Sequence, residues 1–238
     1  MQDSNPDAVQ KFDASRAGEY ARQSRIALAG YEACHELVAC MLAASIGPGR
    51  KARILVAGAG GTAQEILTAA SLEPLWSFTA VDPSSPMLEL ALAQLKARDL
   101  LDRTEIHLGT VDDLPPGELY DAATLIGVLH HLPGDEAKQD ILESIARNLK
   151  PGAPLILAGN HYAYSSQPLL LAAWGERWRQ QGASAEDVQA RLGKILQGAD
   201  PPHSEAAIQQ LLNDAGFGTA TRFFSSLFWG AWITCKED

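Results

Sequence analysis

The chain has 238 residues, 46% of them hydrophobic, and a formal net charge of −10. Such values suit one α/β unit with a full core and leave no concentration of Lys and Arg to hold a phosphate backbone. No apolar run approaches the ~18 residues of a membrane span, and the start, Met1-Gln2-Asp3-Ser4-Asn5, is polar and acidic rather than signal-like. The expectation is a cytoplasmic protein acting on a small-molecule substrate, with neither nucleic acid nor membrane as a partner. Cys34, Cys40 and Cys235 lie in apolar contexts without metal-type spacing, so buried reduced thiols and no metal site are expected.

After a polar leader, helices are expected over 8–17 and 23–45, the second with Leu28, Tyr31, Cys34, Leu37, Val38, Met41 and Leu42 at helical spacing and a stop at Gly47-Pro48-Gly49. Strand and helix then alternate: strand 53–57, helix 62–72, strand 77–81, helix 84–98, strand 104–108, a turn at Pro115-Pro116-Gly117, strand 121–127, helix 135–149 and strand 154–158. This is the rhythm of a parallel sheet. Two helices, 168–181 and 185–197, then occupy a stretch where a short link would suffice, so residues 160–203 read as an inserted cap. Helix 205–215 leads through Gly216-Phe217-Gly218 into strand-like runs 219–224 and 228–234, too close together for a helical crossover and therefore an antiparallel hairpin. The expected organisation is one domain: a helical lid over 1–48, a core over 49–159, the cap over 160–203, and a helix with the hairpin over 204–238.

The most informative stretch is Arg53-Ile-Leu-Val-Ala-Gly-Ala-Gly-Gly-Thr62, a strand that breaks into a glycine turn and then into helix-forming sequence. Without a Cβ at Gly58 and Gly60, the backbone around Ala59 can turn tightly and lie against a ligand. The next strand ends at Asp82, about twenty residues on, where a carboxylate meets ribose hydroxyls. A plain strand-to-helix turn with a surface aspartate is the alternative; the spacing favours a nucleotide cofactor.

With Val81-Asp82-Pro83-Ser84-Ser85-Pro86-Met87, Leu129-His130-His131-Leu132 and Leu149-Lys150-Pro151-Gly152-Ala153 added, the chain resembles the class I S-adenosylmethionine (SAM)-dependent methyltransferases. That resemblance implies a Rossmann-like, seven-stranded, mostly parallel sheet with a terminal antiparallel hairpin, here plus a helical cap, and SAM as cosubstrate. It implies a cofactor site built from Gly58, Ala59, Gly60, Thr62, Asp82, Pro83, Met87, Val111, Asp112 and Gly127. Phe12-Asp13, Tyr20, Arg25, Gly30-Tyr31 and the aromatic hairpin after Leu211 to Phe217 are similar to the carboxymethoxyuridine tRNA methyltransferase group, which implies that Tyr31, with Arg25 nearby, reaches the cofactor. The departures are specific. The acid that family carries near the end of the first strand falls on Val56, and its adenine-binding aspartate falls on Thr110, with Asp112 a shifted substitute. Gln180 stands where that group holds a carboxylated cofactor with arginine, which points to ordinary SAM, and the acidity of the chain argues against tRNA.

A sulfonium cation is attracted to aromatic faces, and Tyr20, Tyr31, Tyr162, Tyr164, Trp174 and Trp178 surround the expected pocket, although each alone also serves packing; Phe228 and Trp229 are expected in the core or at an edge. Methyl transfer needs mainly alignment. His130, His131, Asn160 and His161 at strand ends are candidates for moving a proton or for local hydrogen bonding, and the expected catalytic set is Tyr20, Tyr31, His130, Asn160 and Tyr162. Three functions are consistent with these residues: methylation of a small metabolite; cyclisation of SAM to azetidine-2-carboxylate and methylthioadenosine, favoured by the missing acid at Val56; and a non-catalytic SAM-binding module.

Overall fold

The structure, a computed structural model, describes residues 14–117 and 119–238, with side chains described from Glu19 onward. The expected helix 8–17 and the pair Phe12-Asp13 fall mostly or wholly outside the described residues. The first two helices are α1 (Ala14–Ala27) and α2 (Tyr31–Ile46), which meet at 82°. The break lies at Gly30, φ 86°, and not between 17 and 23 as expected. The apolar spacing conceals this break because Leu28, in the connecting turn, is as buried as the helix residues that follow.

Strand and helix then alternate as β1 (Ala52–Ala57), α3 (Gln64–Leu72), β2 (Trp76–Asp82), α4 (Ser85–Lys96), β3 (Thr104–Leu108), β4 (Ala122–Ile126), α5 (Gly134–Asn148) and β5 (Pro154–Asn160). The cap holds α6 (Pro168–Gln180) and α7 (Ala185–Gly198), followed by α8 (Glu205–Asp214), β6 (Thr221–Ser226) and β7 (Trp229–Cys235). The seven strands form one sheet in the order β3-β2-β1-β4-β5-β7-β6. The first five pair in parallel, and β7 runs antiparallel to both β5 and β6.

The central strands are apolar without alternation because helices cover both faces. Leu55, Leu125 and Leu157 pack with α5 and α8 through Leu142, Ile145, Leu211 and Leu212. Ile54, Val56 and Ile156 face the opposite layer, where α2, α3 and α4 supply Val38, Leu42, Ile66, Ala91 and Leu95. Truncating a fully buried leucine such as Leu142 in either layer costs about 2–5 kcal/mol.

A lysine is buried at the start of α5. Lys138 of α5 is 1% exposed, and its Nζ donates to Gly134 O and to Asp200 Oδ2, each at 2.8 Å. The same Asp200 oxygen accepts from Gly134 N–H at 2.8 Å, while Asp200 N–H donates to His130 O at 2.9 Å. The end of the cap is thereby fastened to the start of α5.

Of the three thiols expected to be buried, only Cys34 is; Cys40 lies on the outer side of α2 and Cys235 at the end of β7, both exposed. Among the described residues no helix alone is long and apolar enough to cross a membrane, and no group of three or more His, Cys, Asp or Glu side chains is placed to hold a metal ion.

Candidate functional site

The strand order reverses between β1 and β4, the place where open α/β sheets bind ligands at the carboxyl ends of their strands. Leaving β1, Gly58 (φ 75°) and Ala59 donate backbone N–H bonds to Val81 O at 2.8 and 3.1 Å, which folds the loop back over β2. A Cβ at Gly58 would meet Val128 Cγ2 at 2.2 Å, and one at Gly60 would meet Met87 Cβ at 2.5 Å and Asp82 Oδ2 at 2.6 Å. Both positions therefore require glycine. Gly60 N–H and Ser84 N–H donate to the two oxygens of Asp82, each at 2.9 Å, so the carboxylate is fixed at the loop with lone pairs left over. Burial raises the Asp82 pKa above the ordinary value, and those two N–H bonds oppose the rise.

A cavity of about 630 Å³ opens from this loop toward the cap. Of the residues expected in the site, Tyr20, Tyr31, Gly58, Gly60, Thr62 and Gly127 line it, as do His130 and Asn160. The Tyr31 hydroxyl and Thr62 Oγ1 are 2.5 Å apart. Tyr20 packs its ring so closely on the loop that a Cβ at Gly61 would lie 2.3 Å from it. Burial pushes the Tyr20 phenol up to about 12 and raises that of Tyr31 as well.

At the far wall, Asn160 Nδ2 donates to the Tyr164 hydroxyl at 2.8 Å. Asn160 N–H lies 3.4 Å from His130 Nδ1, a contact that calls for the proton of neutral His130 on Nε2. Among the described residues, two buried polar atoms of cavity-lining side chains are without hydrogen-bond partners: Asn160 Oδ1 and Trp229 Nε1. They sit on residues directly opposed in the β5–β7 register.

Trp174 and Trp178 of α6 line the cap side and lace it to α1. Trp174 Nε1 donates to Ala27 O at 2.8 Å, and Arg177 donates to Ile26 O and Arg25 O at 3.3 and 3.0 Å. Gln23 Oε1 accepts from Trp178 Nε1 at 3.4 Å and from Arg191 of α7 at 3.0 Å. The last carbonyls of α1, which no longer have partners within their own helix, are thus capped by the cap.

Several expected site residues lie outside the cavity lining. Asp112, proposed as a substitute for the adenine-binding aspartate, is on the surface, where Oδ1 accepts from Ser144 Oγ and Arg147, both at 2.7 Å. Thr110 instead bonds Asp113 Oδ2 through its own N–H and hydroxyl, both at 2.7 Å, and so stabilises the turn. Val111 is core. Arg25 pairs with Glu32 at 2.6 Å and lies over the outside of the Tyr31 ring. The Tyr162 hydroxyl points to Glu205 at 3.3 Å, because its backbone turns away at φ 76°. Ala59 is buried beneath the loop, Pro83 is exposed beside it, Met87 packs against Gly60, and Asp82 is held at the loop by its bonds from Gly60 and Ser84.

The structure adds Glu65 and His35, which sequence reasoning left out. Both line the cavity, with His35 Nε2 3.9 Å from Glu65 Oε2 and side chains 3% and 10% exposed. Burial pushes the Glu65 carboxyl up to about 7, with Asp82 adding to the rise and a backbone N–H opposing it. In the sequence, Glu65 reads as an ordinary acid in the first turn of a helix.

Residues 55–155 match a family model described as a methyltransferase domain. No curated protein sequence matches the chain. Among solved structures, the chain is similar to magnesium protoporphyrin IX methyltransferase from Synechocystis PCC 6803 with bound S-adenosylhomocysteine (SAH), with TM-score 0.67 and 17% identity over 97% of this chain and 100% of that one. It is similar to a putative O-methyltransferase from Nostoc punctiforme PCC 73102, with TM-score 0.66 and 14% identity over 94% of this chain and 60% of that one. Human N-acetylserotonin methyltransferase in complex with SAM gives TM-score 0.58 and 16% identity over 96% and 61%. The chain therefore spans about 60% of the length of the last two. Residues 55–155 thus resemble a methyltransferase domain, and the chain as a whole shares the seven-stranded α/β fold of these class I methyltransferase structures.

Proposed function

We propose that this protein transfers the methyl group of SAM to an oxygen of a small organic acceptor held between the glycine loop and the cap. The observation that carries this reading is a single cavity joining Gly58 and Gly60 to the aromatic wall of Trp174 and Trp178, so a loop-bound cofactor and a cap-bound acceptor share one space. At about 630 Å³ it lies within the range of small-ligand pockets, ~300–1,000 Å³. SAM supplies an electrophilic methyl on a sulfonium, and the residues present suit it: the loop has no Cβ to obstruct the backbone, Asp82 keeps lone pairs for ribose hydroxyls, and tyrosine and tryptophan faces suit a cation. The work of the chain is alignment of the reacting groups and exclusion of water.

Asn160 Oδ1 and Trp229 Nε1 favour a hydroxyl on the acceptor. A hydroxyl donates to the first and accepts from the second, whereas each left unmet costs about 1–3 kcal/mol. The likeness to a putative O-methyltransferase agrees with this class. The test is incubation with SAM and a panel of hydroxylated small molecules, each beside its deoxy counterpart, following SAH. Turnover confined to the hydroxyl compounds supports the reading; equal turnover of the deoxy compounds, or none across a broad panel, overturns it.

A second reading draws on Glu65, a cavity carboxyl whose pKa of about 7 suits proton uptake at neutral pH. Glu65 would take a proton from the α-ammonium of SAM; the freed nitrogen pair would then form a bond to Cγ as the Cγ–S bond breaks, giving azetidine-2-carboxylate and neutral methylthioadenosine. With the apolar Val56 buried at the end of β1, Glu65 is the carboxyl that lines the cavity beside the glycine loop. SAM alone distinguishes the readings: methylthioadenosine without an acceptor supports cyclisation, and intact SAM removes it.

A further inference from the structure

The acid that the fold's resemblance places at the end of β1 is replaced by Val56, which is 1% exposed and packed into the layer beneath α2 and α3. A carboxyl nevertheless reaches the cavity from a position nine residues later. Glu65 stands in the first turn of α3, on the wall that also presents Gly58, Gly60 and Thr62, with Gly127 at the end of β4 lining the same cavity. Its buried ionisable neighbour brings no positive charge. His35 Nδ1 lies 2.8 Å from Tyr31 O and so carries its proton there, while Nε2, at 3.9 Å from the carboxyl, is too far for a hydrogen bond. Burial also holds the His35 pKa below the ordinary value, which disfavours a charged imidazole. The cations that line the cavity, Arg191 and Lys194, belong to α7 on the cap side, and Arg191 is bound to Gln23. A buried carboxyl beside the glycine loop therefore faces the cavity, whose lining cations belong to the cap side.

We infer that the Glu65 carboxyl receives the α-ammonium of SAM, taking over from the β1 terminus the role of holding the cofactor's amino-acid end. This rests on the SAM reading above and holds for methyl transfer and cyclisation alike, since both begin with that contact. The phenols of Tyr20 on α1 and Tyr31 on α2 and the thiol of Cys34 on α2 also face Glu65, and burial raises all three, so they stay neutral at pH 6–8. Asp82, at the end of β2, is the other acid nearby.

The test is calorimetric binding of SAH and of its deaminated analogue, in which a keto group replaces the α-amine, to wild type and Glu65→Gln between pH 6 and 8. An ammonium that needs ionised Glu65 gives wild type a SAH affinity about tenfold weaker at pH 6 than at pH 8. The deaminated analogue lacks that slope, and the E65Q protein binds SAH weakly and without it, which subtracts any contribution of Asp82. A flat wild-type profile for SAH, or the same slope with the deaminated analogue, overturns the assignment; the analogue arm uses wild type and does not depend on the variant folding. Wild type that binds neither SAM nor SAH at any pH overturns the SAM reading itself, and this assignment with it.

Discussion

Replacing Glu65 by glutamine removes a carboxyl whose pKa burial lifts from an ordinary 4.5 to about 7. In the unfolded chain this group ionises near pH 4.5, while in the folded protein it keeps its proton to about 7. Across that window the folded state binds more protons than the unfolded one, so the group makes wild type progressively less stable as pH rises from 4.5 to 7, with no further loss above. The gap corresponds to about 3 kcal/mol at most. With its side chain only 10% exposed, solvent screening removes little of it. Urea unfolding of wild type and E65Q at pH 4.5 and pH 8 measures it. The stability of E65Q relative to wild type rises by about 3 kcal/mol between the two, and the fixed cost of burying the amide cancels in the difference. His35, whose buried imidazole is hard to charge, lowers stability at acid pH in both proteins. Parallel profiles would refute the reasoning, because they would mean that the folded carboxyl ionises where the unfolded one does.

Gly60→Ala places a methyl 2.5 Å from Met87 Cβ and 2.6 Å from Asp82 Oδ2; about 1–3 kcal/mol of stability is lost and SAM binding falls at least ~10-fold by calorimetry. Lys138→Met keeps the apolar stem but leaves Asp200 and Gly134 O without the ammonium, costing about 2 kcal/mol in urea unfolding, because Asp200 is 47% exposed and water partly compensates. Amide exchange quickens at Asp200, whose N–H bonds His130 O. Asn160→Leu removes the unpartnered Oδ1, so the KM for a hydroxylated acceptor rises at least ~10-fold while SAH affinity stays within about twofold.

Much of the fold was legible because strong local signals coincide with tertiary need. The Arg53 to Thr62 run reads as strand, turn and helix, and its glycines stand where a Cβ collides. The closing hairpin followed from the short link between 219–224 and 228–234, and β6 and β7 pair antiparallel. What failed needed contacts distant in sequence. Asp112 lies near the position spacing gave it, yet Arg147, thirty-five residues on, pairs with it at the surface. Trp229 reads as a core or edge residue, and only the β5–β7 register sets it opposite Asn160 at the cavity. Glu65 becomes unusual only when α2 packs over α3 and removes water from its carboxyl.

The bonds from Trp174, Arg177 and Arg191 to the carbonyls and glutamine of α1 make the roof of the site a composite of two segments that are over a hundred residues apart in the chain. A change of acceptor preference by transplanting a foreign 160–203 segment would therefore bring helices with no matching seat, since Gln23 through Ala27 remain behind with the host. The smallest exchangeable module is discontinuous. Recombination that respects it must carry α1 together with α6 and α7, and drift at either half is constrained by the other even where neither touches a ligand.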